Sequence, residues 1–161
     1  MKPYRSAIIG CGGRGRMHAL AYEFVQCAEL TACCDLDPVR RNGLGAEFGI
    51  LAYQDPVEMI EKEKPDLVHL VTAPSTRVEL MSLVDRLGVP ACIVEKPVAL
   101  EVRDWKALVE ISRRTRTLFG VGAQFRYHPD LTRCREALQS GRLGKVRTIK
   151  SGFVHNSIPE G

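Results

Sequence analysis

Ser6-Ala7-Ile8-Ile9-Gly10-Cys11-Gly12-Gly13-Arg14-Gly15 is the stretch on which the reading of the fold turns. Residues 6–9 make a short run with an apolar end, closed by glycine, which is the pattern of a buried strand. The glycines that follow fit G-x-G-x-x-G where a strand gives way to a helix. In that setting Gly10 allows the tight turn. Gly12 lets backbone approach a pyrophosphate with no Cβ in the way, and Gly15 permits close helix–strand packing. A helix N-terminus at this point directs unpaired N–H groups and partial positive charge at phosphate. The segment Gly10, Cys11, Gly12, Gly13, Arg14 and Gly15 is therefore expected to cradle a dinucleotide.

The context supports that expectation. A second apolar run, 30–34, ends at Asp35, twenty residues beyond Gly15. A carboxylate there accepts hydrogen bonds from the adenine-ribose hydroxyls of NAD and repels the additional phosphate of NADP. Arg40 and Arg41 follow within two helical turns. They are within reach of a 2′-phosphate, so NADP stays open, although a solvated helix face is the simpler reading of both.

Working outward, short apolar runs alternate with longer amphipathic stretches. Strands are expected at 6–9, 30–34, 67–71, 91–94 and 118–123. Helices are expected at 17–27, 38–48, 56–63, 75–87 and 101–115, with Pro38 opening the second of these and Gly88 closing the fourth. Strands separated by helices indicate βαβ units and right-handed crossovers. The fold class is α/β, a Rossmann-type doubly wound parallel sheet over residues 1–123. The tail, 124–161, changes character. A helix is expected at 129–140, and period-two patterning over 145–154 predicts a half-exposed antiparallel strand. A lone strand is not a stable element, so 124–161 reads as the beginning of a second α/β domain in a longer protein.

Composition narrows the class. Of 161 residues, 45% are hydrophobic and 26% charged, the balance of a globular protein rather than a disordered one. No apolar run approaches membrane-spanning length. Met1-Lys2-Pro3-Tyr4-Arg5 leads straight into the first strand without a secretory pattern. Six cysteines without a C-x-x-C pair read as reduced thiols of a cytoplasmic protein, and no metal site is expected. The net charge of +4 is uneven, since residues 106–161 hold 11 basic and 4 acidic side chains. These basic residues are scattered and not interleaved with aromatics, so nucleic acid is not the expected partner.

Two further segments, Thr72-Ala73-Pro74 and Glu95-Lys96-Pro97, fall at the C-terminal ends of expected parallel strands, the edge where open α/β sheets bind ligands. Together with Gly10–Gly15, Cys34-Asp35-Leu36-Asp37-Pro38, Gln124-Phe125-Arg126-Tyr127-His128-Pro129 and Ser140-Gly141-Arg142-Leu143-Gly144-Lys145-Val146, they occur in an order that resembles the Gfo/Idh/MocA family of NAD(P)-dependent oxidoreductases. The resemblance implies hydride transfer between nicotinamide and a sugar- or polyol-like substrate, with a homo-oligomer formed through a complete second domain. It implies that Lys96 lies between cofactor and substrate as the catalytic ammonium, and that Glu95 anchors Lys96 or the ribose. Thr72, Ala73, Pro74, Gln124 and Arg126 are implied to line the cofactor cleft. It also implies a cis Lys96–Pro97 bond, against ~5–6% for X–Pro bonds in general.

Two departures stand out. Val78 occupies a place where the family often has histidine, and no D-x-G-x-H-like segment supplying a general base is present. That absence keeps two alternatives open: an NAD-dependent glycoside hydrolase, suggested by the Gly-Gly-Arg-Gly loop, and a non-catalytic NAD(H)-binding regulatory module. Among single residues, His18 reads as a helix histidine packed on a neighbour and His69 as structural. His128 reads as a junction residue, and Trp105 as an anchor on a helix face. Arg14 and Arg16 flank the loop within reach of phosphate. The helix N-terminus is expected to lower the Cys11 pKa.

Overall fold

The computed structural model describes residues 2–150 and residue 152. The chain divides into two compact units, Met1–Ala123 and Gln124–Gly161. The first is built on six parallel strands in the order β3-β2-β1-β4-β5-β6. These are β1 (Tyr4–Ile9), β2 (Ala28–Cys34), β3 (Leu51–Tyr53), β4 (Leu67–Leu70), β5 (Ala91–Val94) and β6 (Leu118–Val121). Between them run α1 (Gly13–Leu20), α2 (Pro38–Phe48), α3 (Pro56–Glu63), α4 (Arg77–Arg86) and α5 (Val102–Arg114).

Alternation along β1 shows how the sheet is covered. Ala7 and Ile9 join a core with Met59 of α3, Val84 of α4 and Leu108 of α5. Ile8, between them, joins Ala19 of α1 and Leu44 of α2. Both faces are thus shielded by helices, which is why the central strands are apolar without a break. The ends of neighbouring strands are level, with Ile9 opposite Cys34 and Leu70, and Leu70 opposite Val94. The residues that follow each strand emerge along one edge. The order reverses between β1 and β4, the switch point where such sheets open a crevice.

Local chemistry sets several boundaries. Asp37 caps α2 by accepting a hydrogen bond from Val39 N–H, with Pro38 in the first turn. Asp55 and Pro56 do the same for α3 through Val57 N–H. Two expectations are corrected and one strand is added. The helix expected over 17–27 ends at Leu20 and tightens into a 3-10 turn, Ala21–Phe24, because the chain must fold back sharply to start β2. Strand β3 has no counterpart in the sequence reading: it is a three-residue edge strand, mostly exposed, with no apolar run to announce it. The strand expected over 145–154 is not formed at residues 145–150, which have no partner strand among the described residues. Residues 151, 153 and 154 of that segment lie outside the described residues. In the second unit, α6 spans Pro129–Gln139, and His128 caps it by accepting from Asp130 N–H at 3.3 Å.

Candidate dinucleotide and active site

Gly10 N–H donates to Cys34 O at 2.8 Å, continuing the β1–β2 ladder one residue past the strand. Its φ of +106° is open to glycine, and a Cβ there would lie 2.7 Å from Val71 O. At Gly15 a Cβ would sit 2.0 Å from Gly10 O, so α1 can approach β1 only because that atom is missing. Gly12 and Gly13 differ: a Cβ at either would meet nothing within 4 Å. Gly12 is the N-cap of α1 and offers no side chain to its first N–H groups. The loop is therefore packed tightly on the sheet side and bare on the ligand side.

Asp35 stands at the end of β2. Its Oδ2 accepts from Cys11 N–H at 2.7 Å and its Oδ1 from Asp37 N–H at 2.9 Å. The two bonds fix the carboxylate against the glycine loop, and each oxygen keeps a lone pair for a further donor. An unshielded helix N-terminus, a backbone bare of Cβ atoms and a carboxylate tied one strand away fit the pyrophosphate and adenine ribose of a dinucleotide.

The flanking residues are more engaged than their positions suggest. Arg41 donates to Leu36 O at 3.0 Å and clasps the β2–α2 loop, and Arg40 pairs with Asp37 at 3.3 Å. Arg16 turns to Glu47 of α2, with Nε 2.9 Å from both carboxylate oxygens. The expectation for Cys11 is reversed: its thiol is buried and free, and Cys33, burial and the Asp35 carboxylate drive its pKa up.

Across the switch point, Thr72 and Thr76 hydroxyls lie 2.7 Å apart and Thr76 Oγ1 donates to Ala73 O at 2.9 Å, closing the turn that starts at Pro74. The anchor of this segment is Arg77, which the sequence reading passed over. It is 1% exposed and donates from Nη1 to Leu70 O and from Nη2 to Thr72 O at 2.7 Å. Burial lowers its pKa, and the Glu95 carboxylate opposes that shift. Val78, in the place noted for histidine, packs against the core.

The Lys96–Pro97 peptide is cis, as the resemblance implies. Lys96 is exposed and makes no hydrogen bond or ion pair among the described residues. Glu95 does not anchor it. The Glu95 carboxylate is buried, with Oε1 3.0 Å from His18 Nε2 and Oε2 4.0 Å from Arg14 Nε. His18 Nδ1 lies 3.0 Å from His69 Nδ1, and His69 Nε2 lies 2.7 Å from the Tyr22 hydroxyl. A histidine inside an apolar strand, and a histidine and tyrosine four apart within the stretch expected to be one helix, were the available signals for this chain of contacts. Gln124 and Arg126 stand exposed in a 3-10 turn, Gln124–Tyr127, at the start of the second unit. No helix of the described residues is long and apolar enough to cross a membrane.

Residues 4–123 match the sequence profile of the Gfo/Idh/MocA oxidoreductase family, NAD-binding Rossmann fold, and the chain belongs to that family. It is similar to a D-apiose dehydrogenase of Paraburkholderia graminis, with 34% identity over 145 residues, 89% of this chain and 38% of that protein. It is also similar to a myo-inositol 2-dehydrogenase of Thermotoga maritima, at 26% identity over 91% of this chain and 44% of the relative. Among solved structures, an oxidoreductase from Agrobacterium radiobacter in complex with NAD+, L-tartaric acid and magnesium superposes with a TM-score of 0.83. That pair is 28% identical and covers 89% of this chain and 42% of that one. The chain thus spans about two fifths of the length of these relatives.

Proposed function

We propose that this chain is the NAD-binding part of a dehydrogenase acting on a sugar or polyol. The observation that carries the reading is the pairing of a bare, glycine-lined helix N-terminus with the Asp35 carboxylate tied 2.7 Å from Cys11 N. The apiose and inositol dehydrogenases to which it is similar supply the substrate class. NAD, when bound, supplies the hydride acceptor. Gly12, Gly13 and Arg14 offer N–H groups to its phosphates, and Asp35 accepts from the ribose hydroxyls. Thr72, Ala73 and Pro74 border the crevice at the switch point. Lys96, with no partner among the described residues to release, orients a substrate hydroxyl and holds its proton as the carbon is oxidised. Gln124 and Arg126 are assigned to the cofactor by the family resemblance.

Asp35 favours NAD over NADP, and Arg40 and Arg41 are committed to local contacts. The six cysteines are unpaired, which supports a reducing, cytoplasmic setting. Residues 124–161 are read as the opening of the substrate and oligomerisation domain, and a homo-oligomer is proposed for the protein with that domain complete.

Calorimetric titration tests the cofactor assignment. Asp35→Ala is expected to weaken NAD binding by about 1–3 kcal/mol, the scale of lost hydrogen bonds to a charged group. Unchanged affinity would remove Asp35 from the site, and NADP binding as tight as NAD would reverse the preference.

A further inference from the structure

Glu95 is a buried carboxylate whose sequence neighbour, Lys96, is exposed and unpaired among the described residues. The carboxylate is engaged instead by a three-link chain of contacts running into the protein. His18 Nε2 is 3.0 Å from Glu95 Oε1, His18 Nδ1 is 3.0 Å from His69 Nδ1, and His69 Nε2 is 2.7 Å from Tyr22 Oη. The two imidazoles meet edge to face, with centroids 5.2 Å apart and planes at 90°.

Proton counting orders this chain. A neutral imidazole donates through one nitrogen and accepts through the other. Burial, with His18 adding to it, brings the His69 pKa down to about 4, so His69 carries a single proton at neutral pH. If that proton is on Nδ1, it is donated to His18 Nδ1, which leaves His18 neutral with its own proton on Nε2, facing Glu95. Tyr22 O–H then donates to His69 Nε2. Every donor points toward Glu95, and each atom of the chain is satisfied. The opposite His69 tautomer needs a proton on His18 Nδ1, and then a further proton on either His18 Nε2 or Glu95 to complete the link between them. Arg14 and the buried Arg77 already supply positive charge to that carboxylate. The same oxygen, Oε1, lies beside Gly122, whose missing Cβ would come within 2.9 Å of it, so glycine leaves the carboxylate its room.

We propose that His18, oriented by His69 and Tyr22, is a positioning residue that keeps the Glu95 carboxylate turned into α1 and so leaves the Lys96 ammonium free for substrate. The inference rests on the reading of Lys96 as the substrate-facing group, but its test does not use NAD turnover.

Long-range proton–nitrogen NMR of the wild-type chain at neutral pH reads the tautomers directly and requires no variant. The expected result is a neutral His69 protonated on Nδ1 and a neutral His18 protonated on Nε2. A His69 proton on Nε2, or a doubly protonated His18, overturns the chain. The rate at which acetic anhydride acetylates Lys96, normalised to Lys106 by mass spectrometry, reads the release of Glu95. His18→Ala is expected to slow Lys96 several-fold as Glu95 swings to pair with it. His18→Gln, which keeps an amide donor at the Nε2 position, is expected to restore the wild-type rate. Equal Lys96 reactivity in the wild type and in folded His18→Ala overturns the positioning role. Loss of NAD binding with these readouts intact would instead strike at the cofactor assignment.

Discussion

A methyl group at Gly15 would lie 2.0 Å from Gly10 O, whereas one at Gly12 would touch nothing within 4 Å. The two glycines, alike in sequence, therefore answer to different demands. Gly15→Ala is expected to cost about 1–3 kcal/mol of folding stability, the range for overpacking, measured by urea unfolding. Gly12→Ala is expected to stay within about 0.5 kcal/mol of wild type and to weaken NAD binding, because its methyl enters the space left for the ligand. His69 adds a pH dependence. Its folded pKa, about 4, lies below the ordinary 6.5, so the unfolded chain takes the proton first. Its contribution is complete above pH 6.5 and is lost as pH falls toward 4, on the order of 3 kcal/mol in all. Urea titrations at pH 7 and pH 4.5 should show a smaller difference for His69→Gln than for the wild type, and equal differences would refute the assignment.

Arg77 links α4 to the end of β4 and through it to the candidate site. Its guanidinium donates to Leu70 O, which also accepts from Glu95 N–H at 3.0 Å, and to Thr72 O in the turn that follows. Arg77→Leu keeps the apolar bulk but takes the donor from Thr72 O and removes a cation near Glu95. A loss of about 2–4 kcal/mol is expected by urea denaturation, and a near-neutral change would show that Thr72 O finds another donor. The boundaries of α2 and α3 were legible because their signals are local: an aspartate cap and a proline in the first turn. The break after Leu20 was not, since Phe24 continues the helical apolar spacing yet is 85% exposed. Strand β3 was hidden for the opposite reason, as its three residues gain their order from pairing with β2.

The order β3-β2-β1-β4-β5-β6 brings Gly10, Asp35, Thr72 and Glu95 to one edge from four separate places in the chain. On the proposed reading, a site so assembled takes up cofactor with one unit. The family resemblance implies a general base for hydride transfer, and no D-x-G-x-H-like segment is present in these 161 residues. The chain alone is accordingly expected to bind NAD and to give no NADH absorbance with a panel of polyols. Robust turnover would show that a group already present, Lys96 foremost, acts as the base.

The alternation of apolar strands with amphipathic helices, the glycine spacing and Asp35 twenty residues on were enough to read a doubly wound sheet and its cofactor, because each depends on periodicity or on contacts close in sequence. The partners of buried charge were not readable that way. Glu95 meets His18 across 77 positions and His18 meets His69 across 51. Such pairings follow from strand order and from the need to satisfy a carboxylate removed from water, and they exist only once the sheet has closed.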